Sequence, residues 1–205
     1  MSIVFYEAPM SSATPVACAL AELQVPHEKV RIDLTRGEQR KPEFLKLNPN
    51  GKVPTLVVDG TPMFEALAIL IWLGERYGVQ QQLWPEMQSG RHCQALAWSA
   101  WGYVSYGSAL SRRFLATGER FGGDPKSAQA AFTHDDLESL QATLDSELAK
   151  RPYLLGDAFT LVDLIVAAVV GYGAFSGVPV SHRTHVQDWL TRCQGRPSFR
   201  SVMGG

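Results

Sequence analysis

Two hydrophobic periods divide the chain. Up to about residue 78, short alternating runs of strand type interleave with helical ones, and beyond it only the helical period persists. Residues 2–6 (SIVFY) predict a first strand, and an apolar-periodic run from Pro15 to Leu23 predicts the helix after it. Residues 28–33 (EKVRID) alternate as a second strand, and Pro42–Leu47 suggests a short helix. Val53–Val58 reads as a third strand, the Asp59-Gly60 turn joins it to a hairpin partner at Thr61–Phe64, and Glu65–Tyr77 reads as a helix ending at Gly78. The order β-α-β-α-β-β-α within residues 1–78 predicts a mixed sheet with helices on its faces. Residues 79–90, with Pro85 and Gly90 and no clear period, read as a linker. Helical patterns follow at about 91–117, 125–150, 160–175 and 183–194, so residues 91–205 predict an all-helical domain.

Composition narrows the class without naming it. The 205 residues are 45% hydrophobic and 19% charged, an ordinary globular balance. A formal net charge of −1 points to neither nucleic acid nor an anionic membrane as partner. The first residues lack the basic and apolar regions of a signal peptide, and Leu161–Val170, interrupted by Asp163, is too short to span a bilayer; a cytoplasmic protein is the expectation. Cys18, Cys93 and Cys193 are odd in number and widely spaced, and the five histidines show no HExxH-type spacing, so no disulfide framework and no metal site are expected.

Three segments carry candidate chemistry. Ser11 and Ser12 stand between the first strand and the first helix, where a hydroxyl either caps the helix or donates a hydrogen bond to a bound thiolate. Lowering a thiol pKa by about two units needs roughly 2.7 kcal/mol, within reach of a helix end plus one charge-assisted bond. Asn48-Pro49-Asn50-Gly51-Lys52-Val53-Pro54 is a turn opening a strand, where proline's missing amide loses no ladder bond. Glu65 stands where the last helix of the first domain starts; its carboxylate either complements the helix dipole or meets a ligand ammonium, while neighbouring amides bind a ligand carboxylate.

Together, and with Tyr153–Asp163 (YLLGDAFTLVD), Trp189-Leu190 and Arg196-Pro197-Ser198-Phe199 in the second half, these segments resemble the glutathione S-transferase family over nearly the whole chain. The likeness is nearest to its bacterial, serine-loop, beta- and phi-like members. It implies an α/β thioredoxin-like N-terminal domain followed by an all-α helical bundle, a cis Val53–Pro54 bond, a homodimer, and glutathione as co-substrate. It implies that Val53 pairs with the cysteinyl backbone, that Glu65 and the amides from Ala66 onward hold the γ-glutamyl group, and that Lys52, Gln39 and Arg40 face the glycine carboxylate. The family's usual serine after the glutamate is here Ala66, which removes one bond worth about 0.5–3 kcal/mol. A gapless match from Ala19-Leu20 puts Ser12 at the position of the beta-class cysteine, and a phi-type match with one gap favours Ser11; Tyr6 is a third candidate for the thiol contact.

In the second domain Trp101, Tyr103 and Tyr106 follow Trp98 by three, five and eight residues. They read as core and dimer packing, or, for Trp101 and Tyr106, as the lining of an apolar second-substrate pocket. Thr160 and Asp163 form a capping-box pattern, read as structural, and Cys18 reads as a small buried hydrophobe. The function implied is glutathione conjugation to a small hydrophobic electrophile. The alternatives are a non-catalytic glutathione- or ligand-binding protein and a glutathione-dependent isomerase or reductase.

Overall fold

In the computed structural model, which describes residues 1–203, the first four strand-like runs form one mixed sheet. The strands are β1 (Ile3–Glu7), β2 (Glu28–Arg31), β3 (Thr55–Val58) and β4 (Thr61–Phe64), in spatial order β2-β1-β3-β4. β1 runs parallel to β2 and antiparallel to β3, and β3 forms a hairpin with β4 across Asp59-Gly60. A parallel neighbour needs a crossover, and α1 (Thr14–Glu22) supplies it between β1 and β2. The short α2 (Pro42–Leu45) precedes β3, and α3 (Ala66–Leu73) follows β4, widening into a π-helical turn over Gly74–Gly78. Alternate strand residues face opposite sides: Phe5 and Leu56 are fully buried, while Tyr6 packs its ring edge-on to Phe44 of α2 at 5.9 Å. This is the expected thioredoxin-like arrangement.

The second half is helical throughout: α4 (Gly90–Ala100), α5 (Gly107–Thr117), α6 (Ala128–Leu148), α7 (Leu161–Phe175), α8 (Thr184–Gln194) and α9 (Pro197–Met203). The run predicted as one helix over 91–117 is continuous, but Trp101–Tyr106 forms a wider π-helical turn between α4 and α5. α7 starts on the predicted capping box, with Thr160 and Asp163 each satisfying the other's backbone. The buried Asp163 carboxylate also accepts from Leu154 N at 2.8 Å and Trp189 Nε1 at 3.0 Å, so it ties the preceding loop and α8 to α7. Burial pushes its carboxyl up; the bonds from Leu154, Trp189 and Thr160 oppose that by favouring the anion. Among the described residues, no helix is long and apolar enough to cross a membrane.

The two compact units do not end where the periodicity changes. The first comprises Met1–Met87 and the segment from Arg196 onward; the second is Gln88–Gly195. The expected boundaries, 1–78, a 79–90 linker and 91–205, therefore shift in two places. Most of the expected linker belongs to the first unit, because Trp84 is buried against Gly74 and Gly78. A Cβ on Gly74 would lie 2.6 Å from the indole, so the ring fits only where that side chain is missing. The last helix also joins the first unit. Glu22 of α1 accepts from Arg196 Nε at 3.1 Å, again from the guanidinium Nη2, and from Ser198 Oγ.

Candidate functional site

Three backbone features assemble the candidate site within the first unit. The first is the turn before β3. Asn48 is almost wholly buried; its side-chain amide donates to Lys52 O at 2.7 Å and Thr55 Oγ1 at 3.2 Å, and its Oδ1 accepts from Asn50 N at 3.0 Å. Gly51 closes the turn at φ +59°, donating its amide to Asn48 O at 2.9 Å. The Val53–Pro54 peptide bond that follows is cis.

The second feature is the loop between β1 and α1. Ser11 Oγ donates to Ala8 O at 2.6 Å and accepts from Ala13 N at 3.1 Å. Ser11 therefore does what a helix-start serine does for structure, satisfying an otherwise orphaned amide. Ser12 does something else: its Oγ reaches across to the first feature and donates to Val53 O at 2.7 Å. The contact joins residues 41 apart in sequence, which no local pattern could have shown. At the loop's apex Met10, 67% exposed, adopts φ +52°.

The third feature is the start of α3. Glu65 holds φ +72°, a region a non-glycine residue rarely occupies, and its exposed side chain lies next to buried Ala66. Such outliers persist only where the surrounding structure imposes them, and they cluster at ligand sites.

The other expected site residues are placed as follows. Gln39 and Arg40 lie beside Gly51: a Cβ there would stand 2.9 Å from Gln39 O and 3.3 Å from Arg40 Cδ. Lys52 follows with an exposed side chain, so the structure brings Gln39, Arg40 and Lys52 to one turn. Gln39 Oε1 is buried without a hydrogen-bond partner among the described residues. Tyr6 packs on Phe44, as noted. Cys18 lies inside α1, where burial, with the Glu22 charge, pushes its thiol up to about 12, so it is no thiolate nucleophile.

In the second unit Trp98 and Trp101 meet edge-on at 5.2 Å, and Trp101 lies 5.8 Å from Tyr106. Tyr106 is fully buried and its hydroxyl accepts from Gln141 Nε2 at 3.2 Å, with burial raising its pKa. Tyr106 thus packs the helical core, while Trp101 keeps part of its surface open. Among the described residues no group of three His, Cys, Asp or Glu side chains could hold a metal ion.

The fold and this arrangement define a two-domain protein of the thioredoxin-fold class, with a cis-proline turn facing the start of its first helix. Residues 1–75 match the family model for the glutathione S-transferase N-terminal domain, and residues 113–197 match that for its C-terminal domain. Glutathione S-transferase GstB of Escherichia coli (strain K12) is 31% identical over 193 residues, spanning 92% of this chain and 90% of its own. Glutathione S-transferase hmp2 of Hypomyces subiculosus is 30% identical over 210 residues, spanning 97% and 96%. The crystal structure of the glutathione transferase URE2P6 from Phanerochaete chrysosporium, in complex with oxidized glutathione, shares the fold at a TM-score of 0.86 and 19% identity, over 99% of this chain and 95% of that one. The chain belongs to the glutathione S-transferase family.

Proposed function

We propose that the protein is a serine-type glutathione transferase that activates the glutathione thiol for attack on a small hydrophobic electrophile. The observation that carries this reading is the 2.7 Å bond from Ser12 Oγ to Val53 O. It puts a hydroxyl donor beside the backbone on which a cysteinyl residue would pair. Glutathione would lie extended along the turn before β3, its cysteinyl backbone on Val53 in the manner of an added strand. The γ-glutamyl ammonium would face Glu65, and its carboxylate the amides from Ala66 onward. Lys52, Gln39 and Arg40 would surround the glycine carboxylate.

Ser12 is favoured over Ser11 because both hydrogen-bonding roles of Ser11 are taken inside its own loop. Tyr6 is engaged on Phe44. The relatives named above are glutathione S-transferases, which supports the reaction class. Trp101 is the residue of the helical unit proposed to meet the electrophile, and a cytoplasmic homodimer is the proposed working form.

The experiment pairs S-hexylglutathione binding, measured by calorimetry, with conjugation of glutathione to a panel of aromatic and alkyl electrophiles. Binding with turnover on at least one electrophile supports the transferase. Binding without turnover on any of them makes the protein a glutathione-binding member of the fold. No binding removes glutathione from the site.

A further inference from the structure

A cleft of about 320 Å³ in the helical unit lies outside the residues assigned to glutathione, between the chain leaving α6 and one face of α8. We propose that it is a second ligand site, independent of glutathione binding, and that it takes a small zwitterion with an apolar body: a free amino acid of apolar side chain.

The charges around the cleft carry this reading. His185, Asp188 and Arg192 stand at i, i+3 and i+7 and so share a face of α8, and Lys150 and Arg151 line the cleft from the segment after α6. Most of these groups are already engaged. Lys150 and Arg151 both bond Glu147, and His185 Nδ1 lies 3.3 Å from Asp145 Oδ2. Two are not matched to an opposite charge. Asp188 has no side-chain hydrogen bond or ion pair among the described residues. Arg192 has no carboxylate partner: its Nη2 donates to Pro152 O at 2.7 Å, and its guanidinium lies over the Tyr153 ring, 5.5 Å from the centroid. Asp188 and Arg192 stand at i, i+4 with the acid first, the spacing at which such residues pair on a helix surface. Pro152 and Tyr153 hold the guanidinium instead, so the cleft offers a free carboxylate and, one helical turn on, a guanidinium with N–H donors to spare.

A ligand carrying both signs matches that pair. Lys150, Arg151 and Arg192 are nearly cancelled by Asp145, Glu147 and Asp188, so no excess charge favours a plain anion or a plain amine. The ligand carboxylate would take the fork of Arg192 and its ammonium Asp188. Leu148, Ala149 and Pro152 give its side chain an apolar wall. Arg192 is held before the ligand arrives, so little side-chain freedom is lost on binding. A volume of about 320 Å³ is at the small end for ligand sites and suits a molecule of amino-acid size.

The test is an NMR titration of the full chain with L-phenylalanine, 3-phenylpropanoate (no ammonium) and phenethylamine (no carboxylate), with and without saturating S-hexylglutathione. L-Phenylalanine is expected to bind with a Kd of about 1 mM, at least about five-fold more tightly than either half-ligand, and to be unaffected by S-hexylglutathione. Asp188→Asn breaks no bond of the fold; it should weaken L-phenylalanine about 5- to 10-fold while 3-phenylpropanoate binds equally or more tightly, because the repelling carboxylate is gone. Arg192→Met should weaken both carboxylate ligands, with the far-UV circular dichroism of each variant native-like. Those results together sustain the proposal. Equal binding of 3-phenylpropanoate and L-phenylalanine by the native protein overturns it in favour of a plain anion site. Displacement of L-phenylalanine by S-hexylglutathione, an Asp188→Asn variant that binds it unchanged, or no saturable binding up to about 20 mM overturns it as well, and none of these outcomes bears on whether glutathione binds the first unit.

Discussion

The bond cluster at Glu22 makes a sharp prediction about how the chain's end is held. Glu22 is 9% exposed and Arg196 32% exposed at their side chains, and the carboxylate also accepts from Ser198 Oγ. Replacing Arg196 with Met leaves a carboxylate almost out of water with only the serine donor. Breaking a fully buried pair this way costs about 3–5 kcal/mol, and an exposed pair about 0.2–1. With one partner buried and the other a third exposed, about 2–3 kcal/mol is expected for Arg196→Met. Glu22→Gln should cost less, about 1 kcal/mol, because the guanidinium is a third exposed and can be hydrated, and the amide oxygen still accepts.

The asymmetry is what distinguishes burial from simple pairing. Urea unfolding of both single variants and the double variant, followed by far-UV circular dichroism, gives the coupling energy. Proteolytic trimming of the segment from Arg196 should accelerate in step with it. A cost order reversed between the two variants, or a coupling below about 0.5 kcal/mol, would refute the reasoning.

The same cluster sets a pH dependence. Desolvation pushes the Glu22 carboxyl up, but the bonds from Arg196 and Ser198 and the guanidinium charge outweigh it and leave the carboxyl below its ordinary 4.5. A depressed folded pKa means the unfolded chain binds the proton first. The contribution is therefore complete above about pH 4.5 and is lost as pH falls through the lower folded value. Glu22→Gln should flatten the stability profile in that acid window.

Other outcomes follow from single contacts. Asp163→Ala orphans the buried donors of Leu154, Thr160 and Trp189 and should destabilise the helical unit by about 3–5 kcal/mol, read as a lower urea midpoint. Gly51→Ala forces a side chain into φ +59° and 2.9 Å from Gln39 O. It should cost about 1–3 kcal/mol of stability in chemical denaturation and weaken S-hexylglutathione binding through the displaced Gln39-Arg40 segment. Ala66→Ser adds a hydroxyl at the buried start of α3 and should tighten glutathione binding about 2- to 12-fold by calorimetry, provided the γ-glutamyl carboxylate lies there.

The order of strands and helices up to Gly78 was legible because alternation and turn residues are local signals: the Asp59-Gly60 hairpin and the Thr160–Asp163 capping box formed where those residues stand. Trp84 and α9 were not legible. Residues 79–90 look like a linker because nothing near them is periodic, yet the indole packs where Gly74 and Gly78 leave space. Pro197–Met203 lies far along the chain from Glu22, and no period relates the two.

The candidate site divides along the same line. Sequence alone marked out the candidate residues: two adjacent serines at a helix start, Val-Pro opening a strand, a glutamate before α3, and an alanine where the family usually has serine. It left the choice between Ser11 and Ser12 open, because both have the same hydroxyl and nearly the same local context. Only tertiary structure separated them, by giving Ser11 its partners inside the loop and carrying Ser12 across to Val53. The physical reason is that a hydroxyl's role depends on the acceptor it meets, and that acceptor lies in the turn before β3, brought alongside by the pairing of β3 with β1 and not by neighbours in the chain.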